Sequence, residues 1–195
     1  MKNKICLFFG LLISLTTYAQ DINYNQLKEV FGQEQLAFLP MSEQVNLFID
    51  KDEANLLRRN HNQYLREPLY DDYLHANLIA MQGLSGFQHL FRNLGGGFVP
   101  IRVEENLLII KGTRDHCGGM EEAMVLVDLT SGDITSLLYS EDNVIIHSSY
   151  NTAEQLPLQA LLWIKRLLDA YGTRQKPTRN KILLRKMAGD WCRPD

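Results

Sequence analysis

The sequence is poor in cysteine, with three in 195 residues, and one of them, Cys6, falls within the first ten positions. Two cysteines cannot build a Cys₄ or Cys₃His zinc site, and no His spacing around Cys117 supports a mixed one. No Gly-Lys-Ser/Thr follows Gly95-Gly96-Gly97, so that glycine run is not a phosphate-binding loop. No G-x-S-x-G is present, and Gly83-Leu84-Ser85-Gly86 does not supply one. There is no internal repeat, no low-complexity segment and no recognised nucleic-acid-binding module. No cofactor is expected. After the first twenty residues there is also no apolar run long enough to span a bilayer, which takes about 20 residues.

What the chain does carry at its start is an export signal. Lys2 and Lys4 precede an apolar stretch from Ile5 to Leu15, and Thr17 and Ala19 then occupy the −3 and −1 positions of a small-residue cleavage site. Residues 1–19 therefore read as a cleavable signal peptide and residues 20–195 as one mature domain, long enough to bury a real core. The expected location is the periplasm or the outside of the cell. Cleavage removes Cys6 and leaves Cys117 and Cys192. A pair of cysteines in an exported chain suggests a disulfide, which would close a long loop and contribute about 4 kcal/mol before strain. The alternative is two free thiols, one of them catalytic.

Charge is unevenly spread. Eight acidic residues and no Lys or Arg lie between Asp115 and Glu154, whereas nine basic and three acidic residues lie between Lys165 and Asp195. Such asymmetry either steers a charged partner or is satisfied within the molecule, the two segments facing each other or water.

Hydrophobic spacing predicts an α+β domain: a helical N-terminal half, a central antiparallel sheet and a C-terminal helix packed on it. Tyr24–Phe31 is short and mixed. Ser42 is placed to cap a segment through Val45, Leu47 and Phe48. Asp52 is placed to start another, and the apolar residues between Tyr70 and Leu94 fit helical spacing broken near Gly83 and Gly86. Residues 99–103, 107–111, 123–129, 134–139 and 144–147 read as strands, with Thr130-Ser131-Gly132-Asp133 as a turn. Thr152 and Gln155 have capping-box spacing. Pro157 opposes a helix through that point and suits a helix that starts there, with Gly172 closing it.

Between two strongly apolar strands lies Gly112-Thr113-Arg114-Asp115-His116-Cys117-Gly118-Gly119. A short polar loop on a rigid sheet is preorganised for binding, which lowers the ordering cost. The order strand, His/Asp/Cys/Gly loop, strand, Ser-Gly turn, strand over about residues 99–140 resembles the Ivy-type periplasmic inhibitors of vertebrate lysozyme. Those proteins carry a disulfide-closed Cys-Lys-Pro-His-Asp-Cys loop that enters the lysozyme cleft. With Cys117 at the second family cysteine, Asp115 and His116 stand in reversed order, Thr113-Arg114 replaces Lys-Pro, and Gly112 replaces the first cysteine. Cys192 is then left as the partner of Cys117.

The resemblance implies an inhibitor rather than an enzyme, with Arg114, Asp115 and His116 as the binding loop. Its partner would be a cationic lysozyme-like protein, not nucleic acid. His116 and Arg114 would hydrogen-bond the target's carboxyl pair, and Asp115, Glu121 and Glu122 would suit its positive charge, mainly raising the on-rate. Three other readings stay open. One is a thiol/His-dependent enzyme using Cys117. Another is an immunity protein against a peptidoglycan-targeting toxin. The third is a structural envelope protein. His116 reads equally as a loop histidine that bonds nearby backbone.

Overall fold

The computed structural model describes residues 24–31, 35–41, 49–64, 69, 71–95, 99–115, 117 and 121–171. The signal peptide expected at residues 1–19, the segment expected to be capped by Ser42, His116, Gly118, Gly119, Gly172 and Cys192 lie outside the described residues.

The chain runs α1 (Tyr24–Phe31), β1 (Leu36–Pro40), α2 (Lys51–Arg58), α3 (Asp72–Leu94), β2 (Arg102–Glu104), β3 (Leu107–Thr113), β4 (Glu122–Asp128), β5 (Ile134–Ser140), β6 (Asn143–Ser148) and α4 (Leu158–Tyr171). The six strands form one sheet in the order β1-β6-β5-β4-β3-β2. Helices cover both faces, so the described residues form three layers with two hydrophobic cores.

On one face α2 and α3 bring Leu57, Leu74, Leu78, Leu90 and Leu94 onto Leu108, Ile110, Val125, Val127 and Ile134. On the other, α1 and α4 bring Leu27, Phe31, Ala160, Ile164 and Leu167 onto Ile109, Leu126, Leu137 and Ile146. Successive strand residues point to opposite faces. Covering both faces therefore demands apolar residues at successive positions, and this is why β3 and β4 read as unbroken apolar runs.

The α+β class and the C-terminal helix on the sheet are as the sequence predicts. The sheet is mixed rather than antiparallel, because β1 pairs in parallel with β6, Leu36 opposite Val144 through Pro40 opposite Ser148. That strand lies within the half expected to be helical. It is an edge strand ending in proline, which has no N–H to donate, and its short length left only a weak periodic signal.

Local chemistry sets the helix ends. Asp50, not Asp52, caps α2, its carboxylate accepting from the Asp52 and Glu53 amides at 2.8 Å. Asp71 caps α3. Gly83 interrupts α3 with φ 72°, a conformation that suits glycine, while Gly86 lies within the helix. Gln155 Oε1 accepts from the Thr152 amide at 3.2 Å, but it caps only a 3-10 turn at Ala153–Gln155, and α4 begins after Pro157.

Helix α3 rises alongside the sheet. Near its N-terminus the Tyr73 hydroxyl donates to the Gly132 carbonyl at 2.7 Å, in the β4–β5 turn. Its last turn reaches the opposite end of the sheet, where the β3–β4 loop begins. Among the described residues no helix is long and apolar enough to cross a membrane.

Candidate functional site: the β3–β4 loop and its base

The loop joining β3 to β4 closes on its own backbone. Thr113 pairs with Glu122 at the end of the ladder. Beyond it the Arg114 amide donates to the Glu121 carbonyl at 3.1 Å, and the Cys117 amide donates to the Arg114 carbonyl at 3.1 Å. The Glu121 amide then donates to the Cys117 carbonyl at 3.3 Å. Gly112 and Thr113, expected in the loop, belong to β3.

Gly112 is required for a reason other than flexibility. A Cβ there would stand 2.4 Å from the Leu94 carbonyl oxygen, so the strand and the end of α3 approach closer than any side chain permits.

Of the expected binding residues, Asp115 is exposed and Arg114 half-buried. Cys117 is 1% exposed. A sulfur so enclosed is out of a substrate's reach, which counts against Cys117 as a catalytic nucleophile. Among the described residues no group of three or more His, Cys, Asp or Glu side chains is placed to hold a metal ion.

The two glutamates expected to face a cationic partner do not do so. Glu121 is 3% and Glu122 6% exposed, and each is used internally. Glu121 lies on the α3 face of the sheet. Its carboxylate accepts from Asn93 Nδ2 at 3.0 Å and from Ser140 Oγ at 2.9 Å. His89 Nε2 stands 3.9 Å away, close enough for an ion pair and too far for a hydrogen bond. Burial pushes the Glu121 carboxyl up, but the His89 imidazole and the Ser140 and Asn93 donors outweigh it and hold the group below its ordinary value. Glu122 points to the opposite face and takes both terminal nitrogens of Arg166 in α4.

Part of the acidic segment and part of the basic segment thus neutralise one another inside the molecule. Sequence reading missed both anchors. The signal available was the doublet itself: two adjacent acids opening an apolar strand must face opposite layers.

Residues 74–170 match the family model of Ivy, the inhibitor of vertebrate lysozyme. The resemblance read from residues 99–140 is borne out and extends over about half of the chain, from α3 through nearly all of α4. The Ivy match takes in the β3–β4 loop, the residues of α3, β5 and α4 that grip its base, and five of the six strands. It leaves out α1, β1 and α2. No curated protein and no solved structure matches the chain.

Proposed function

We propose that this chain is an exported inhibitor of a lysozyme-like cell-wall-degrading enzyme, and that it acts by inserting the loop carrying Arg114, Asp115 and His116 into the target's cleft. The observation that carries this reading is the Ivy match across the hairpin that bears the loop. The rigidity of the loop's base supports it. A loop closed by three backbone hydrogen bonds and seated on a sheet buried on both faces loses little entropy on docking.

The mechanism is occlusion. Asp115, exposed at the loop, offers a negative charge to a cationic enzyme, while Arg114 and His116 engage the catalytic carboxyl pair of a glycosidase. Residues 1–19 direct export, and residues 20–195 form one domain that works in the periplasm or outside the cell.

Cys117 and Cys192 form the disulfide that replaces the family's internal loop closure. Two features support the pairing. Cys117 is buried at the loop, and Arg166 of α4 meets Glu122 at the base of that loop, so the helix delivers the chain to the loop's end of the sheet before the tail begins.

The deciding experiment is lysis of bacterial cell walls by a panel of animal lysozymes in the presence of the oxidised chain 20–195. The expected result is stoichiometric inhibition of at least one, weakened at least tenfold on replacing Asp115 and His116 with alanine. Absence of inhibition across the panel would overturn the reading.

A further inference from the structure

Glu121 occupies a position where the sheet alone gives no reason for a carboxylate. It stands in the row Glu121, Ala123, Val125, Val127 on the α3 face, and the other three members are buried and apolar. A buried charge persists only where donors compensate it. Here Asn93 and Ser140 do so, from two different elements. Asn93 belongs to the last turn of α3, one residue before the Leu94 backbone that meets Gly112. Ser140 is the last residue of β5. Through its own backbone Glu121 both accepts from Arg114 and donates to Cys117. One residue therefore joins the loop to a helix and to a neighbouring strand.

We infer that Glu121 is the positioning residue of the inhibitory loop: its carboxylate, gripped by Asn93 and Ser140, fixes the backbone that presents Arg114 and Asp115. This rests on the inhibitor reading for what the loop does, but not for how it is held. Glu121 touches no target. It acts by holding Arg114 and Cys117 in one geometry, so that binding need not order the loop first.

The test reads the free protein and the complex separately. Amide hydrogen exchange of the full mature chain is followed at Arg114 and Cys117, with Val125 of β4 as the internal reference. Glu121→Ala should lower protection at Arg114 and Cys117 at least tenfold and leave Val125 within twofold. Glu121→Gln keeps the shape and one acceptor oxygen, and should restore most of the loss. Ser140→Ala, which removes one donor and leaves Glu121 in place, should loosen the same two amides about threefold and keeps the test open if Glu121→Ala does not fold.

Unchanged loop protection in Ser140→Ala and in whichever Glu121 variant folds would overturn the proposal. So would equal loss at Val125, which marks a general structural role. Where the wild-type chain inhibits a lysozyme, inhibition should weaken in step with loop protection, and loosening without weaker inhibition would overturn it. A wild-type chain that inhibits nothing, yet loosens as described, removes the inhibitor reading and leaves Glu121 as the residue that positions this loop.

Discussion

Glu121 and Glu122 are adjacent in the chain and face opposite layers of the molecule. Glu121 turns toward α3 and is held by two neutral donors and a nearby imidazole. Glu122 turns toward α4 and is held by a guanidinium whose side chain is half exposed. The alternation of a strand converts one acidic doublet into two clamps, one on each helical layer, at the point where the ladder ends and the loop begins. The chemistry differs with the surroundings. On the sealed face the carboxylate depends on hydrogen bonds from groups that would otherwise be unpaired. On the α4 face Glu122 is also buried, but its partner is a guanidinium half in water, where the salt bridge is screened.

The largest disturbance of this arrangement should come from Gly112→Val. Its Cβ would meet the Leu94 backbone at 2.4 Å, and backbone cannot rotate away as a side chain can. The last turn of α3, with Asn93 in it, must move off the sheet. We expect a loss of about 3 kcal/mol, at the upper end of overpacking costs, measured by denaturant unfolding. Loop amides should be affected before those of β6.

Next come the glutamates themselves. Glu121→Leu leaves Asn93 Nδ2 and Ser140 Oγ without their acceptor in a buried site and should cost about 2 kcal/mol. Glu122→Gln weakens a pair whose cation is half in water and should cost about 1 kcal/mol or less. Equal costs in denaturant unfolding would show that the two faces are not electrostatically distinct.

Acid should separate them further. The Glu121 carboxyl titrates below its ordinary 4.5 in the folded state. The unfolded chain then binds more protons in that window, so the stability Glu121 contributes is present above pH 4.5 and is lost as pH falls through the folded value. His147, on the same face of the sheet, is held below its ordinary 6.5 by burial, partly offset by a hydrogen bond with the Met81 backbone. Its contribution has the same sign and begins to fall away below pH 6.5. A melting-temperature profile should therefore decline in two stages. Glu121→Gln should flatten the lower stage and leave the upper one. A lower stage unchanged in Glu121→Gln would show that other carboxyls govern it.

How much of this was legible beforehand depended on whether a residue's partners were local. The strands β3 to β6 and the helix α4 were readable because apolar runs and turn residues are neighbours in sequence. The Thr152–Gln155 spacing was readable too, although Pro157 confined what it caps. Strand β1 was not, because its partner β6 lies about a hundred residues on and nothing local marks a parallel edge. The loop's position between two strands was legible, and so was the family whose model it matches. Its anchors were not: Asn93, Ser140 and Arg166 come from three elements, and only the folded register shows that they converge on one acidic doublet. The same register reverses the first reading of that doublet, from a surface for a cationic partner to a pair of internal fastenings.

The smallest effect should come from the β5–β6 turn, which starts at Ser140, the donor to Glu121. Its two central residues, Glu141 and Asp142, have φ of 52° and 68°. Two-residue turns with both φ positive match the strand twist and favour Asn or Gly, so glutamate there is held in a conformation that its Cβ opposes. Asp142 is compensated, since Tyr139 Oη donates to its Oδ1 at 3.2 Å. Glu141 contributes its carbonyl, which accepts from Asn143 Nδ2 at 3.0 Å, and its side chain is exposed. Glu141→Gly keeps that carbonyl and relieves the strain, against a greater entropy loss for glycine on folding. The net should be a gain of about 0.5 kcal/mol, a rise in Tm of about 1–2 °C for a domain of this size, with protection at Arg114 and Cys117 unchanged. A gain at those amides as well would mean that strain in the turn had been loosening the Ser140–Glu121 contact, and that the two ends of the clamp are coupled through it.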